Sequence, residues 1–159
     1  MNNIIHESFK HGVNFKIGHF CVIEEDVVVG DNVKIDNYVL LKKGTKILDD
    51  VWVDSYVRSS GHNLIKANTT LRYGCTIAKE VVVEDGAFIS PNVMTIYSTH
   101  THKKSGGTVI GKNAFIGTAA VLGPSVKIGE SVVIGAQAYA NKNCLEKGIY
   151  VGVPAKLKR

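Results

Sequence analysis

No stretch of this sequence approaches the roughly 20 consecutive apolar residues that a membrane-spanning helix needs, and none has the charged-then-apolar form of a secretory leader. The expectation is one soluble, cytoplasmic domain over residues 1–159 with no membrane partner. Cysteine is scarce as well. Cys21, Cys75 and Cys144 lie far apart with no Cys-x-x-Cys spacing, and an odd number cannot all pair within one chain, so buried, reduced thiols are expected. Basic runs interleaved with aromatics are also missing. The net charge of +5 and the pI near 9.1 come from scattered Lys and Arg, which argues against a nucleic-acid partner and suits a small polyanionic cofactor instead.

What the sequence does have is a repeat. A six-residue step from Ile5 reaches His11, Ile17, Ile23, Val29, Ile35, Leu41, Ile47, Val53, Ser59, Ile65, Leu71, Ile77, Val83 and Ile89, and the same step from Ile110 reaches Ile116, Leu122, Ile128, Ile134 and Ala140. Ile, Leu or Val fills 18 of these 21 frames, whereas 44 such residues in 159 would place about six there by chance. The fifth position of nearly every frame is slim, as at Cys21, Val27, Thr45, Cys75, Ala87, Ala114 and Cys144, with Phe9, Phe15 and Asn63 as exceptions.

A period of six matches neither the 3.6 of an amphipathic helix nor the alternation of a half-buried strand. It matches a chain that turns a corner every six residues, with one large aliphatic side chain pointing inward per flat side. Three sides make an 18-residue coil, and stacked coils pair as parallel strands at about 4.8 Å. The 21 frames predict an all-β parallel β-helix of about seven coils, its corners turned by residues such as Gly18, Gly30, Asp36, Asp54, Gly111, Gly117 and Gly135. Periodicity leaves the hand of the coil open.

The phase breaks once. Residues 95–109, TIYSTHTHKKSGGTV, leave the register, and a loop extruded from a regular solenoid is where function concentrates. His100 and His102 are its candidate bases, because a hydroxyl is a poor nucleophile until a base takes its proton and imidazole titrates close to neutral pH. Exposed His and Lys on such a loop can also be mere solvation. A second irregular patch, residues 58–63, keeps the register but puts Ser59 in an aliphatic position. Arg58 and His62 there, together with Arg72, read either as the lining of a pocket, with the arginines on an anionic group, or as a solvated turn.

The Ile-Gly-x-x-Ala-x frames of IGKNAFIGTAAVLGPSVKIGESVVIGAQAY, followed by Gly152-Val153-Pro154-Ala155-Lys156, resemble the hexapeptide-repeat acyltransferases. The nearest likeness is to the galactoside, maltose and xenobiotic acetyltransferases and to the nucleotide-sugar acetyltransferases, over nearly the whole chain from Ile5. The helical N-terminal segment of the maltose and galactoside enzymes has no counterpart in these residues. The resemblance implies a left-handed coil, a homotrimer, acetyl-CoA as co-substrate with no metal required, and acetyl transfer to a hydroxyl or amino group of a sugar. A nucleotide-linked sugar of surface-polysaccharide biosynthesis fits the short loop better than a galactoside does.

The resemblance also implies site residues. Ser90-Pro91-Asn92-Val93 with Thr99-His100 resembles the Ala-Pro-Asn-Val stretch that stands eight residues before the family's catalytic histidine, which assigns Asn92 and His100, with His102 as the alternative base. Thr118, Ala136, Asn141-Lys142, Lys156 and Arg159 stand where the family meets coenzyme A, Asn141 replacing the usual Thr. Backbone N–H groups from Gly117 to Ala119 are candidate donors to the thioester oxygen as it becomes anionic. Three other readings compete. One is a galactoside- or xenobiotic-type O-acetyltransferase of a small free acceptor, and another is a non-catalytic β-helix scaffold or binding module. The third is a γ-type carbonic anhydrase with zinc on His62, His100 and His102, although the frames Ile110-Gly111-Lys112 and Ile116-Gly117-Thr118 lack that family's Ile-Gly-His pattern.

Overall fold

A computed structural model describes residues 2–103 and 105–158. Each hexad spends two residues as strand and the rest turning, so the 24 strands are two or three residues long, and no helix occurs among the described residues. They stack into three sheets. The first face has eight strands from Ile4–Ile5 to Tyr139–Ala140, and the second has seven from Lys10–His11 to Lys127–Ile128. The third has nine, running from Lys16–Ile17 to Ile149–Val151, with Lys156–Leu157 added antiparallel as a terminal hairpin strand. Pairings such as Ile5 with Ile23 and Ile23 with Leu41 carry the one-coil register, which lengthens to Val83 with Ile110 across the loop. The result is a left-handed parallel β-helix with seven complete coils and an incomplete eighth, one partial coil more than the repeat count implies.

The inward column is the one the repeat predicts. Ile23, Ile35, Leu41, Ile47, Ile65, Leu71, Ile77, Ile89, Ile110, Ile116, Leu122 and Ile134 are fully buried, with Cys21, Val27, Val33, Cys75, Ala114 and Ala138 buried in the tight corners beside them. Each such large side chain contributes about 1.5–3 kcal/mol by leaving water. The first coil is looser, its His11 exposed and its core made by the half-buried rings of Phe9 and Phe15, whose centroids lie 5.5 Å apart.

The corners correct the expectation about glycine. The left-handed backbone falls two residues later than the position read as the corner: Asn14, Asp26, Asn32, Asp50, Asn68, Asn92 and Asn113 have φ between 53° and 58°, and such residues tolerate that region because their short polar side chains bond locally. Gly111 and Gly117 are required for another reason. A Cβ on Gly117 would lie 2.5 Å from the Ala136 backbone nitrogen, and one on Gly111 2.6 Å from the Gly129 carbonyl carbon, so stacked backbones leave no room for a side chain.

A polar seam interrupts the aliphatic column at Ser59 and Thr95, along the edge between the first and second faces. Thr45 Oγ1 lies 2.6 Å from Ser59 Oγ, Ser59 bonds Asn63 Oδ1, Asn63 Nδ2 donates to the Ala78 carbonyl at 2.5 Å, and the Ala78 N–H donates to Thr95 Oγ1 at 2.6 Å. Ser59, Asn63 and Thr95 are buried, so their mutual bonds are what makes burial tolerable. The outer faces keep apolar residues. Phe88 and Phe115 stack at 5.4 Å on the third face, which also carries Trp52, while Tyr38 belongs to an edge, in an exposed ladder Phe20–Tyr38–Tyr56–Tyr73 with centroids 4.9–5.3 Å apart.

Candidate active site

The loop is a hairpin, and it is shorter than the sequence suggests. Thr95 still points inward and is buried, its Oγ1 donating to the Thr76 carbonyl at 3.2 Å, and Thr108 is buried in the slim fifth position. The chain therefore leaves the coil between residues 96 and 107 rather than 95 and 109, a difference that arises because two threonines do the work of apolar residues. At the hairpin's root the Gly106 N–H donates to the Tyr97 carbonyl at 2.6 Å, and Ser98 pairs antiparallel with Ser105 above it. The tip turns through a bond from the His102 N–H to the Thr99 carbonyl at 2.9 Å. His100 and His102 are both exposed there, His102 in the left-handed region at φ 55° with its Nδ1 3.5 Å from Ser98 Oγ.

Asn92, Thr118 and Ala136 occupy a different edge, where the third face turns into the first, on three successive coils. Thr118 and Ala136 are exposed and stacked, the Gln137 N–H donating to the Thr118 carbonyl at 2.9 Å. Asn92 is itself a left-handed corner residue at φ 58°, and its Oδ1 would lie 2.6 Å from a Cβ on Gly74 of the coil before. Within one chain, the whole first face separates this edge from the hairpin. The proposed oxyanion donors narrow to one: the Gly117 N–H donates to Ile134 and the Ala119 N–H to Pro91, both within the solenoid's own ladder, whereas the Thr118 N–H has no acceptor among the described residues.

Asn141 and Lys142 return to the hairpin's edge, two coils beyond it, lining with Pro124, Ser125 and Asn143 a pocket of about 350 Å³. A larger cavity, about 720 Å³, lies between residues 4–7 and 22–25 in the first coils, remote from the hairpin. Lys156 is exposed on the terminal antiparallel strand beside Val151, and Arg159 lies outside the described residues, as does Lys104. The acceptor candidates are dispersed. Arg58 is exposed on the first face, and His62 is exposed on the first edge two coils before the hairpin. Arg72 is already engaged, its Nε 3.0 Å from Asp54 Oδ2 and its guanidinium 4.9 Å from the Trp52 ring. Sequence reasoning missed Glu80 and Ser125, which meet the hairpin's root at Gly106; the signal was their position in the frames flanking the break.

The thiols are free and buried, and burial with the nearby Asp54 charge pushes Cys75 up to about 12, which makes it a poor nucleophile. Among the described residues no three His, Cys, Asp or Glu side chains of one chain gather into a metal-binding group.

Residues 107–142 match the family described as bacterial transferase hexapeptide, a six-repeat unit. Residues 107–142 thus carry that family's repeat, set within a left-handed β-helix that runs through the rest of the chain. Solved structures repeat the architecture. A UDP-N-acetylglucosamine acyltransferase from Campylobacter jejuni superposes with a TM-score of 0.78 over 99% of this chain and 72% of its own, at 16% identity. The acetyltransferase domain of PglB from Neisseria gonorrhoeae, in complex with acetyl coenzyme A, gives 0.58 over 98% of this chain at 17% identity, and this chain spans 57% of that one. A variant of the Bacillus cereus N-acyltransferase AntD, in complex with dTDP-4-amino-4,6-dideoxyglucose and coenzyme A, gives 0.53 over 91% of this chain and 82% of its own at 20% identity. At these identities the likeness is one of fold. No curated protein matches the sequence.

Proposed function

We propose that the protein is an acetyl-CoA-dependent acetyltransferase of a hydroxyl or amino group on a sugar, nucleotide-linked and destined for surface polysaccharide, acting in the cytoplasm with His100 as general base. The observation that carries this reading is the single break in the hexad register, which presents two imidazoles to solvent on a fold whose solved neighbours hold acetyl-CoA, or coenzyme A with a nucleotide-linked amino sugar. His100 takes the proton of an acceptor hydroxyl as its oxygen attacks the thioester carbonyl, and the coenzyme thiol leaves. A neutral amine attacks unaided, and the imidazole then only clears the ammonium proton. His102, tied to Ser98, is the alternate base.

Thr118 and Ala136 offer an exposed two-coil edge for the pantetheine arm, and Asn141, Lys142 and Lys156 offer polar and cationic groups for its phosphates. Because the hairpin and the Asn92–Thr118–Ala136 edge lie at opposite ends of one face, a site that joins them takes the histidine from one copy and the edge from the next, which is the reason for reading a homotrimer. Arg58 and His62 remain available to an anionic acceptor group; Arg72 contributes only by releasing Asp54.

The test is thiol release from acetyl-CoA with a panel of nucleotide-linked amino sugars, free amino sugars and neutral sugars. Release with a nucleotide-linked acceptor is expected, and His100→Ala should lower kcat about 10²- to 10⁴-fold for a hydroxyl acceptor and less for an amine. Absence of both coenzyme binding and thiol release across the panel would leave a silent scaffold and overturn the reading.

A further inference from the structure

The hairpin that carries the histidines is held at its root by three groups from three successive coils. Gly106 is in the left-handed region at φ 64°, and its N–H is bound to Tyr97 of the hairpin's other arm at 2.6 Å. Its carbonyl accepts a bond from Ser125 Oγ, one coil beyond, at 2.9 Å. From the coil before, Glu80 closes the remaining side: a Cβ on Gly106 would lie 2.6 Å from Glu80 Oε2 and 3.3 Å from the Tyr97 ring. Gly106 is buried although the tip residues around it are exposed. Glu80 itself stands at a left-handed corner, φ 63°, with its N–H donating to the Gly61 carbonyl, so its backbone belongs to the rigid ladder and only its carboxylate reaches the hairpin.

We infer that Glu80, Gly106 and Ser125 form a clamp of positioning residues that sets where His100 and His102 stand relative to the prism. This deepens, and as far as catalysis is concerned rests on, the acetyltransferase reading above. The physical argument is one of leverage. A two-rung hairpin is marginally stable by itself in water, so its tip is only as well placed as its root. A displacement of about 1 Å in a catalytic group can cost on the order of 10²-fold in rate. Ser125 supplies direction through a bond to the carbonyl, Glu80 supplies packing against the glycine and the Tyr97 ring, and Gly106 is the residue that fits between them. Among the described residues the cation beside Glu80 is Lys79, at 3.7 Å and exposed, so the clamp acts through shape more than through charge.

The experiment uses the full chain and two readouts, amide hydrogen exchange over residues 97–106 and steady-state thiol release. Gly106→Ala should raise exchange of the hairpin amides at least about tenfold with the rest of the solenoid unchanged. It should also lower kcat about ten- to a hundredfold with acetyl-CoA binding within about twofold of wild type. Ser125→Ala should do the same more weakly and Ser125→Thr should restore it, while Glu80→Gln keeps the shape and stays close to wild type and Glu80→Ala does not. Unchanged hairpin exchange in Gly106→Ala and Glu80→Ala would overturn the clamp. Raised exchange with unchanged kcat in an active enzyme would overturn its positioning role. If the wild-type protein releases no thiol, the acetyltransferase reading fails, and the clamp is then decided by exchange alone.

Discussion

At the scale of single residues, His100 and His102 are two positions apart and differ in their surroundings. His102 sits in a left-handed turn with a serine hydroxyl near Nδ1, whereas His100 is exposed with no hydrogen-bond partner for its ring among the described residues. His102→Ala is therefore expected to lower kcat less than about tenfold where His100→Ala lowers it about a hundredfold or more, as steady-state kinetics on the two variants will show. Ser59 makes a different kind of prediction. In sequence it looks like a defect in the aliphatic column, yet its hydroxyl is bonded to Thr45 and Asn63 inside the prism. Ser59→Val leaves Asn63 and Thr45 short of a partner and should destabilise the protein by about 1–3 kcal/mol in urea unfolding. Cys75 gives a pH dependence whose sign is definite. Its folded pKa of about 12 is above the ordinary thiol value of 9.0, so the unfolded chain loses its proton first as pH rises. The stability contributed by the protonated thiol is complete below pH 9 and is lost progressively between 9 and 12; a Cys75→Ala variant should show a shallower alkaline decline over that window.

At the scale of the element, the hexad was readable because one inward aliphatic and one slim corner residue are imposed on every side by the geometry of a tight triangular coil. The bounds of the hairpin were less readable. Thr95 and Thr108 hold inward positions with polar side chains, and a search for apolar residues at period six passes over them. Likewise Gly111 and Gly117 looked like turn residues, whereas it is contact with the next coil that excludes a side chain there. Gly117→Ala should cost about 1–3 kcal/mol even though its backbone angles suit alanine, a cost measurable by thermal or urea unfolding. The hairpin itself is expendable to the fold. Replacing Ser98–Ser105 with a single glycine keeps Tyr97 and Gly106 in contact, and should leave the melting temperature within a few degrees while abolishing acetyl transfer.

At the scale of the whole molecule, the prism sets a constraint that no local motif expresses: the histidine hairpin and the Asn92–Thr118–Ala136 edge are kept apart by the width of a face. The homotrimer proposed above predicts three times the 17.2 kDa of one chain by light scattering on the eluting protein, and a variant that dissociates to monomers should lose the proposed transfer while keeping its β-rich spectrum. The sequence by itself determined the all-β coil, its inward column, the place where it is interrupted and the inertness of the three thiols, because each follows from a residue's position within a period of six. Tertiary structure alone decided that Arg72 is taken up by Asp54 and Trp52, that the Gly117 and Ala119 amides are spent on the ladder, and that Glu80 and Ser125 meet the hairpin at Gly106. Those facts depend on which residues meet between coils, about 18 positions apart in the chain or up to 28 across the hairpin, and a period within the sequence states the spacing of such neighbours but not what their side chains do when they meet.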